Sequence, residues 1–177
     1  MLRLGLTVAC LVMPVASTGA ALPPPIADAA RGRLQCYQPD VVRKTCRSLA
    51  SYGIDANGKI INPATVLISA RPAIVMATTT YVVVRAGRVC GVIRQEDVAA
   101  AEFTVDGLPA TAEQTTMLRE QIAIIRKPMI GPEICTAYVR NGAMLVAKAT
   151  IGGVATKPAM DQKVIWVTPT EGYRVAP

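Results

Sequence analysis

The apolar and polar positions of this chain change period several times, and each change predicts an element. Between Asp40 and Tyr52, Val42, Cys46, Leu49 and Ala50 recur at helical spacing, with Arg43, Lys44, Arg47, Ser48 and Ser51 on the other side. Asp40 is a helix-capping residue type and Gly53 stands where helices often stop, so the pattern predicts a helix to about Tyr52. The competing period is two: Cys46, Ser48, Ala50 and Tyr52 also alternate, as in a strand starting near Cys46.

From Ile54 to Ile93 the texture is that of strands. Asp55-Ala56-Asn57-Gly58 holds an Asn-Gly pair, which tolerates the positive φ angles of a tight hairpin turn. Branched aliphatics fill Ile60–Ser69 and Ala73–Ala77. Tyr81–Arg85, Ala86-Gly87 and Arg88–Ile93 read as strand, turn, strand. Val98–Val105 is ambiguous, since its alanines favour helix and Phe103-Thr104-Val105 favours strand. Thr111 and Gln114 have capping-box spacing behind Pro109, and Met117, Leu118, Ile122 and Ile125 share one helical face. Arg126 and Lys127 suit the C-terminal end of that helix, and Pro128 stops it. Glu133–Arg140, Asn141-Gly142 and Ala143–Ile151 give a second hairpin. Lys163–Thr168 is apolar on both faces, which predicts a strand covered on both sides. The fold class expected from these elements is α+β. It is a mainly antiparallel, disulfide-stapled sheet of about five to seven strands with two helices packed on it.

The N-terminus changes where this fold is expected to work. Residues 1–21 have the layout of a secretory signal peptide: Arg3, an apolar run from Leu4 to Ala16, then small residues from Ser17 to Ala21. Cleavage is expected after Ala20 or Ala21. The run is broken by Pro14 and falls short of the roughly 20 apolar residues a membrane span needs, so no stable span is expected after cleavage. Cys10 is expected to leave with the signal. Residues 22–33, opening Leu22-Pro-Pro-Pro25, read as a proline-rich, flexible leader, and residues 34–177 as a single domain. The expected location is exported, either periplasmic or extracellular.

Composition narrows the chemistry. Hydrophobic residues make up 51% of the chain but aromatics only 4%, so the core must be aliphatic. Loss of Arg3 with the signal takes the formal charge from +7 to +6. An exported basic protein meets anionic surfaces, and the expected partner is an anionic envelope component or another exported protein. Nucleic acid is not expected, because the basic residues are dispersed and few aromatics are available for base stacking. The chain has no histidine, which excludes Ser-His-Asp and Cys-His machinery and removes the commonest ligand of zinc and copper. No cofactor, metal or catalytic residue is assigned.

Four cysteines remain beyond the signal, and export favours disulfides. Of the three pairings, Cys36–Cys46 with Cys90–Cys135 is preferred, the second joining the two predicted hairpins. No Cys-x-x-Cys spacing supports redox catalysis. Asp55-Ala56-Asn57-Gly58 fails as a calcium loop at both ends, with Gly53 and Ala64 where acids belong. Glu96, Asp97 and Glu133 are the carboxylates available for hydrolysis without histidine. A Ser–Lys pair from Ser48, Ser51 or Ser69 has no supporting motif. Arg43, Lys44 and Arg47 form the densest basic cluster; on a helix Arg43 and Arg47 project together and suit a phosphate or carboxylate. The function expected is a non-catalytic exported binding or envelope-assembly module. A small secreted hydrolase with paired carboxylates and an inhibitor of an exported enzyme are the alternatives.

Overall fold

Each main strand pairs with the next one along the chain, and the last returns to the first. The computed structural model describes residues 21–177; the expected signal, with Arg3 and Cys10, lies outside the described residues except for Ala21. The ring consists of β1 (Leu34–Tyr37), β2 (Ser48–Ala50), β3 (Ile60–Ala70), β4 (Ala73–Arg85), β5 (Arg88–Val92), β6 (Glu133–Asn141), β7 (Met144–Ile151) and β8 (Gln162–Val167). All neighbours are antiparallel. The ring closes through Leu34↔Val167, Gln35↔Trp166, Cys36↔Ile165 and Tyr37↔Val164.

This corrects the expected α+β class. Among the described residues the chain is mostly β, with 48% of them in strands, a closed eight-stranded antiparallel barrel and only two α-helices. Closing the ring leaves the main sheet with no free edge between β8 and β1. The helices are α1 (Gln95–Ala99) and α2 (Ala112–Ile125), both in the insertion between β5 and β6. The longer one forms where its capping box predicts: the Thr111 hydroxyl accepts from Gln114 N and the Gln114 side chain accepts from Thr111 N. The ambiguous stretch splits into α1 and a strand at Glu102–Val105 that extends the sheet beside β4. The helix expected over Asp40–Tyr52 does not form, and the alternating pattern prevails in its second half.

Side-chain alternation sorts the barrel wall. On β1, Gln35 and Tyr37 face the lumen; on β8, Val164 and Trp166 do so opposite them. The outward row is covered as well. Cys36, Cys46 and Val167 form a small outer core with Leu34, Leu49, Ile165 and Tyr173 beneath the C-terminal segment. So Val164–Val167 of β8 is covered on both faces, as its apolar run predicts, whereas Gln162 and Lys163 are exposed. Gly91 of β5 sits where a Cβ would stand 2.9 Å from the Tyr81 carbonyl oxygen, a gap that only glycine leaves open.

Each end of the lumen has its own stopper. At one end Leu22, Ile26 and Ala29 pack with Tyr52, Val82 and Val89, flanked by Tyr138 and Trp166. Residues 22–33, expected as a flexible leader, thus carry three buried side chains, and Ile26 is fully buried. At the other end Val98, Ala101, Phe103 and Ile122 of the insertion close over Ile74, Met76 and Ile93. Between the stoppers lies a polar knot. Gln35 Oε1 accepts from the hydroxyls of Tyr37 (2.8 Å), Tyr52 (2.9 Å) and Tyr138 (3.1 Å), and the Tyr37 and Tyr138 hydroxyls are 2.6 Å apart. Burial raises all three phenol pKa values, those of Tyr37 and Tyr52 well above the usual value, so the knot holds neutral phenols.

Candidate functional site

The sequence Gln38–Arg47 leaves the barrel as a short hairpin pinned to the outer wall. Cys36 points outward from β1 and bonds to Cys46 with a Cα–Cα distance of 5.4 Å. Inside that loop Asp40 N donates to Thr45 O (2.8 Å) and Thr45 N to Asp40 O (3.1 Å). The Asp40 carboxylate accepts from Val42 N (3.0 Å) and Arg43 N (2.9 Å) and pairs with Arg43 Nε at 3.1 Å. Those backbone bonds, that from Arg43 first, hold the Asp40 carboxyl below its usual pKa. Gln38 and Lys44 adopt left-handed φ angles of 49° and 53° on either side of the tip. The base is fixed from outside as well. Arg174-Val175 pairs in parallel with Thr45-Cys46, Arg174 N donates to Lys44 O (3.1 Å), and Lys44 Nζ donates to Glu171 O (2.9 Å).

This braced loop presents apolar side chains to solvent. Val42 is 89% exposed and Val41 is 60% exposed, next to the exposed Arg43 and Lys44. The expected basic face is corrected accordingly. Arg43 and Arg47 do not share a helical face opposite Val42. Arg43 and Lys44 stand at the hairpin with Val42, while Arg47 lies beyond the staple, in a depression shared with Gln38, Arg126 and Asp161. The physical reason lies in Asp40. The side-chain acceptor that would cap a helix here closes a local turn, and β-branched Thr45 then pairs back across it. The sequence signal for a tight loop was the Cys36–Cys46 spacing; nothing in the periodicity marked Val41 and Val42 as exposed.

The other candidates settle into structural roles. Cys90 and Cys135 are directly opposed on β5 and β6 and form the second disulfide. Glu133 lies near their sulfurs, with all three groups within 4.8 Å, but disulfide sulfurs are not the thiolates a metal site requires. Glu133 pairs with Arg85 on the outer wall. Asp97 accepts from Arg94 N (2.8 Å) as the cap of α1, and Glu96 lies 3.8 Å from Arg94. Asp97 and Glu133 line different depressions, and Asp97 shares its own with Glu102. Asp55 accepts from Asn57 N and Lys59 N, closing the hairpin turn. Among the described residues no helix is long and apolar enough to cross a membrane. The two disulfides are compatible with an oxidising, exported compartment. Comparison with protein-family models, curated proteins and solved structures finds no match to this chain.

Proposed function

We propose that this chain is an exported, non-catalytic binding module of the periplasm or extracellular space, with the stapled hairpin as its contact element. The observation that supports this reading is the pair Val41-Val42, held in solvent beside Arg43 and Lys44 by a disulfide, an Asx turn and the C-terminal strand. A braced loop loses little conformational entropy on docking, so its apolar burial and charge contacts go into affinity. Full burial of a valine side chain contributes about 1.5–3 kcal/mol. The partner that fits is an exported protein with a small apolar pocket rimmed by carboxylates. A second reading, inhibition of an exported enzyme, makes that pocket an active-site cleft; the rigidity of the loop beside its disulfide supports it.

Photo-crosslinking tests the proposal. A crosslinker placed at position 42 of the exported protein should give one discrete adduct in its native compartment. The adduct should be absent with the crosslinker at position 139, exposed on β6 across the ring from β2, and should weaken as salt rises, since the Debye length is about 8 Å at physiological strength. Equal adducts from both positions, or none from position 42, would refute it.

A further inference from the structure

The mouth of the barrel, away from the hairpin tip, holds a cavity of about 480 Å³ between the N-terminal stopper and the ends of β6, β7 and β8. That volume falls within the range of small-molecule sites, about 300–1,000 Å³. One wall is apolar: Trp166 and Leu145 present it, over the fully buried Val164. The polar lining is unevenly engaged. Asp28 already pairs with Arg31 and with Arg33, the latter at 3.3 Å, and Arg33 Nη2 donates to the Trp166 carbonyl at 3.0 Å. Arg140, at the end of β6 opposite Leu145, makes no ion pair or side-chain hydrogen bond among the described residues. Arg140 lines the cavity, and its donor fork is unengaged.

We infer that this cavity is a binding site for a small amphipathic monoanion, a carboxylate carried on an apolar body. The carboxylate meets the Arg140 fork, whose paired N–H donors match its two oxygens. The apolar body lies along Trp166 and Leu145. Asp28 adds no net repulsion, because two arginines already neutralise it. This inference rests on the barrel mouth alone and is independent of the hairpin reading.

Trp166 is the only tryptophan in the chain, so its emission reports the cavity directly. The mature protein is titrated with octanoate, 1-octanol and octylammonium below their micellar concentrations. The expected result is saturable octanoate binding, with octanol roughly tenfold weaker or more, the scale of losing one charge-assisted hydrogen bond. Octylammonium should give no saturable change. Arg140→Gln should weaken octanoate by a similar factor, and Arg140→Lys, which keeps the charge without the fork, by less. Arg140 is exposed, so both variants should keep the wild-type Tm, and circular dichroism verifies the fold. Non-saturating octanoate, octanol binding as tightly as octanoate, or an unchanged Arg140→Gln would each overturn the site. None of these outcomes bears on crosslinking at position 42.

Discussion

Replacing Ile26 with alanine separates a packed stopper from a tether. Ile26 is fully buried and belongs to one cluster with Tyr52, Val82, Val89 and Trp166. Truncation loses the transfer free energy of three carbons and leaves a hole that the rigid barrel wall cannot collapse around. Such Ile→Ala changes cost about 2–5 kcal/mol. That is a large share of the roughly 5–15 kcal/mol that holds an ordinary domain folded. For a domain of this size each kcal/mol moves Tm by about 2–4 °C, so Ile26→Ala should lower Tm by roughly 4–20 °C. Val42→Ala is the matched control: also aliphatic, but 89% exposed, it should change stability by no more than about 0.5 kcal/mol. Thermal unfolding followed by circular dichroism gives both numbers. Trp166 emission adds a local readout, since a loosened stopper admits water to the barrel mouth and shifts the spectrum to the red. If Ile26→Ala melts within about 1 °C of wild type with unchanged emission, residues 22–31 are not a structural part of the barrel, and the cavity they wall off disappears with them.

Three further outcomes are expected. Mass measurement after alkylation should find no free thiol among Cys36, Cys46, Cys90 and Cys135; removing the longer-range bridge, Cys90–Cys135, should cost about 4 kcal/mol and removing Cys36–Cys46 about 3 kcal/mol in the chain-entropy model. Because folding raises the pKa of Tyr37, Tyr52 and Tyr138, their contribution to stability is complete below the unfolded value near 10 and is lost as pH climbs above it. Absorbance at alkaline pH should show these three phenols ionising only as the barrel unfolds; ionisation of all of them with the fold intact would contradict the knot. Finally, the double substitution Arg43→Glu with Lys44→Glu should abolish the salt-sensitive adduct at position 42, whereas Arg47→Glu should leave it, because Arg47 stands apart from the tip; the reverse ranking would place the anionic contact elsewhere.

The legible parts of this fold are those written in short stretches of sequence. Ala86-Gly87 and Asn141-Gly142 sit at the tips of the β4–β5 and β6–β7 hairpins, and Thr111 with Gln114 caps α2. Both disulfides follow the preferred pairing, the second joining the two expected hairpins. Ring closure left no such mark, since it depends on β1, four residues long, meeting β8 at the far end of the chain. The absent helix at Asp40 shows a different limit: one carboxylate serves a helix cap and a tight turn with the same backbone bonds, and the left-handed positions fell on Gln38 and Lys44 where glycine or asparagine would have signalled them. The leader held a signal that its prolines masked. Leu22, Ile26 and Ala29 are spaced as one apolar stripe. Of the site, the basic residues were legible by type, but their grouping was not. Arg140 and Trp166 drew no notice because the cavity they share forms only when the ring closes.

The pairing of β1 with β8 also sets an order of events. Until Val167 reaches Leu34, the ring is an open sheet whose two outermost strands offer unpaired amides and carbonyls to any neighbouring chain. Such long-range contacts form slowly, because the intervening chain must first be gathered in. The Cys36–Cys46 link closes early and locally, whereas the ring must wait for nearly the whole polypeptide, and the Arg174-Val175 segment can clamp the stapled hairpin only after that. The barrel is therefore incomplete until β8 has formed, and its open edges stay exposed until then. Its survival depends on holding those edges apart until β8, Gln162–Val167, has joined the ring.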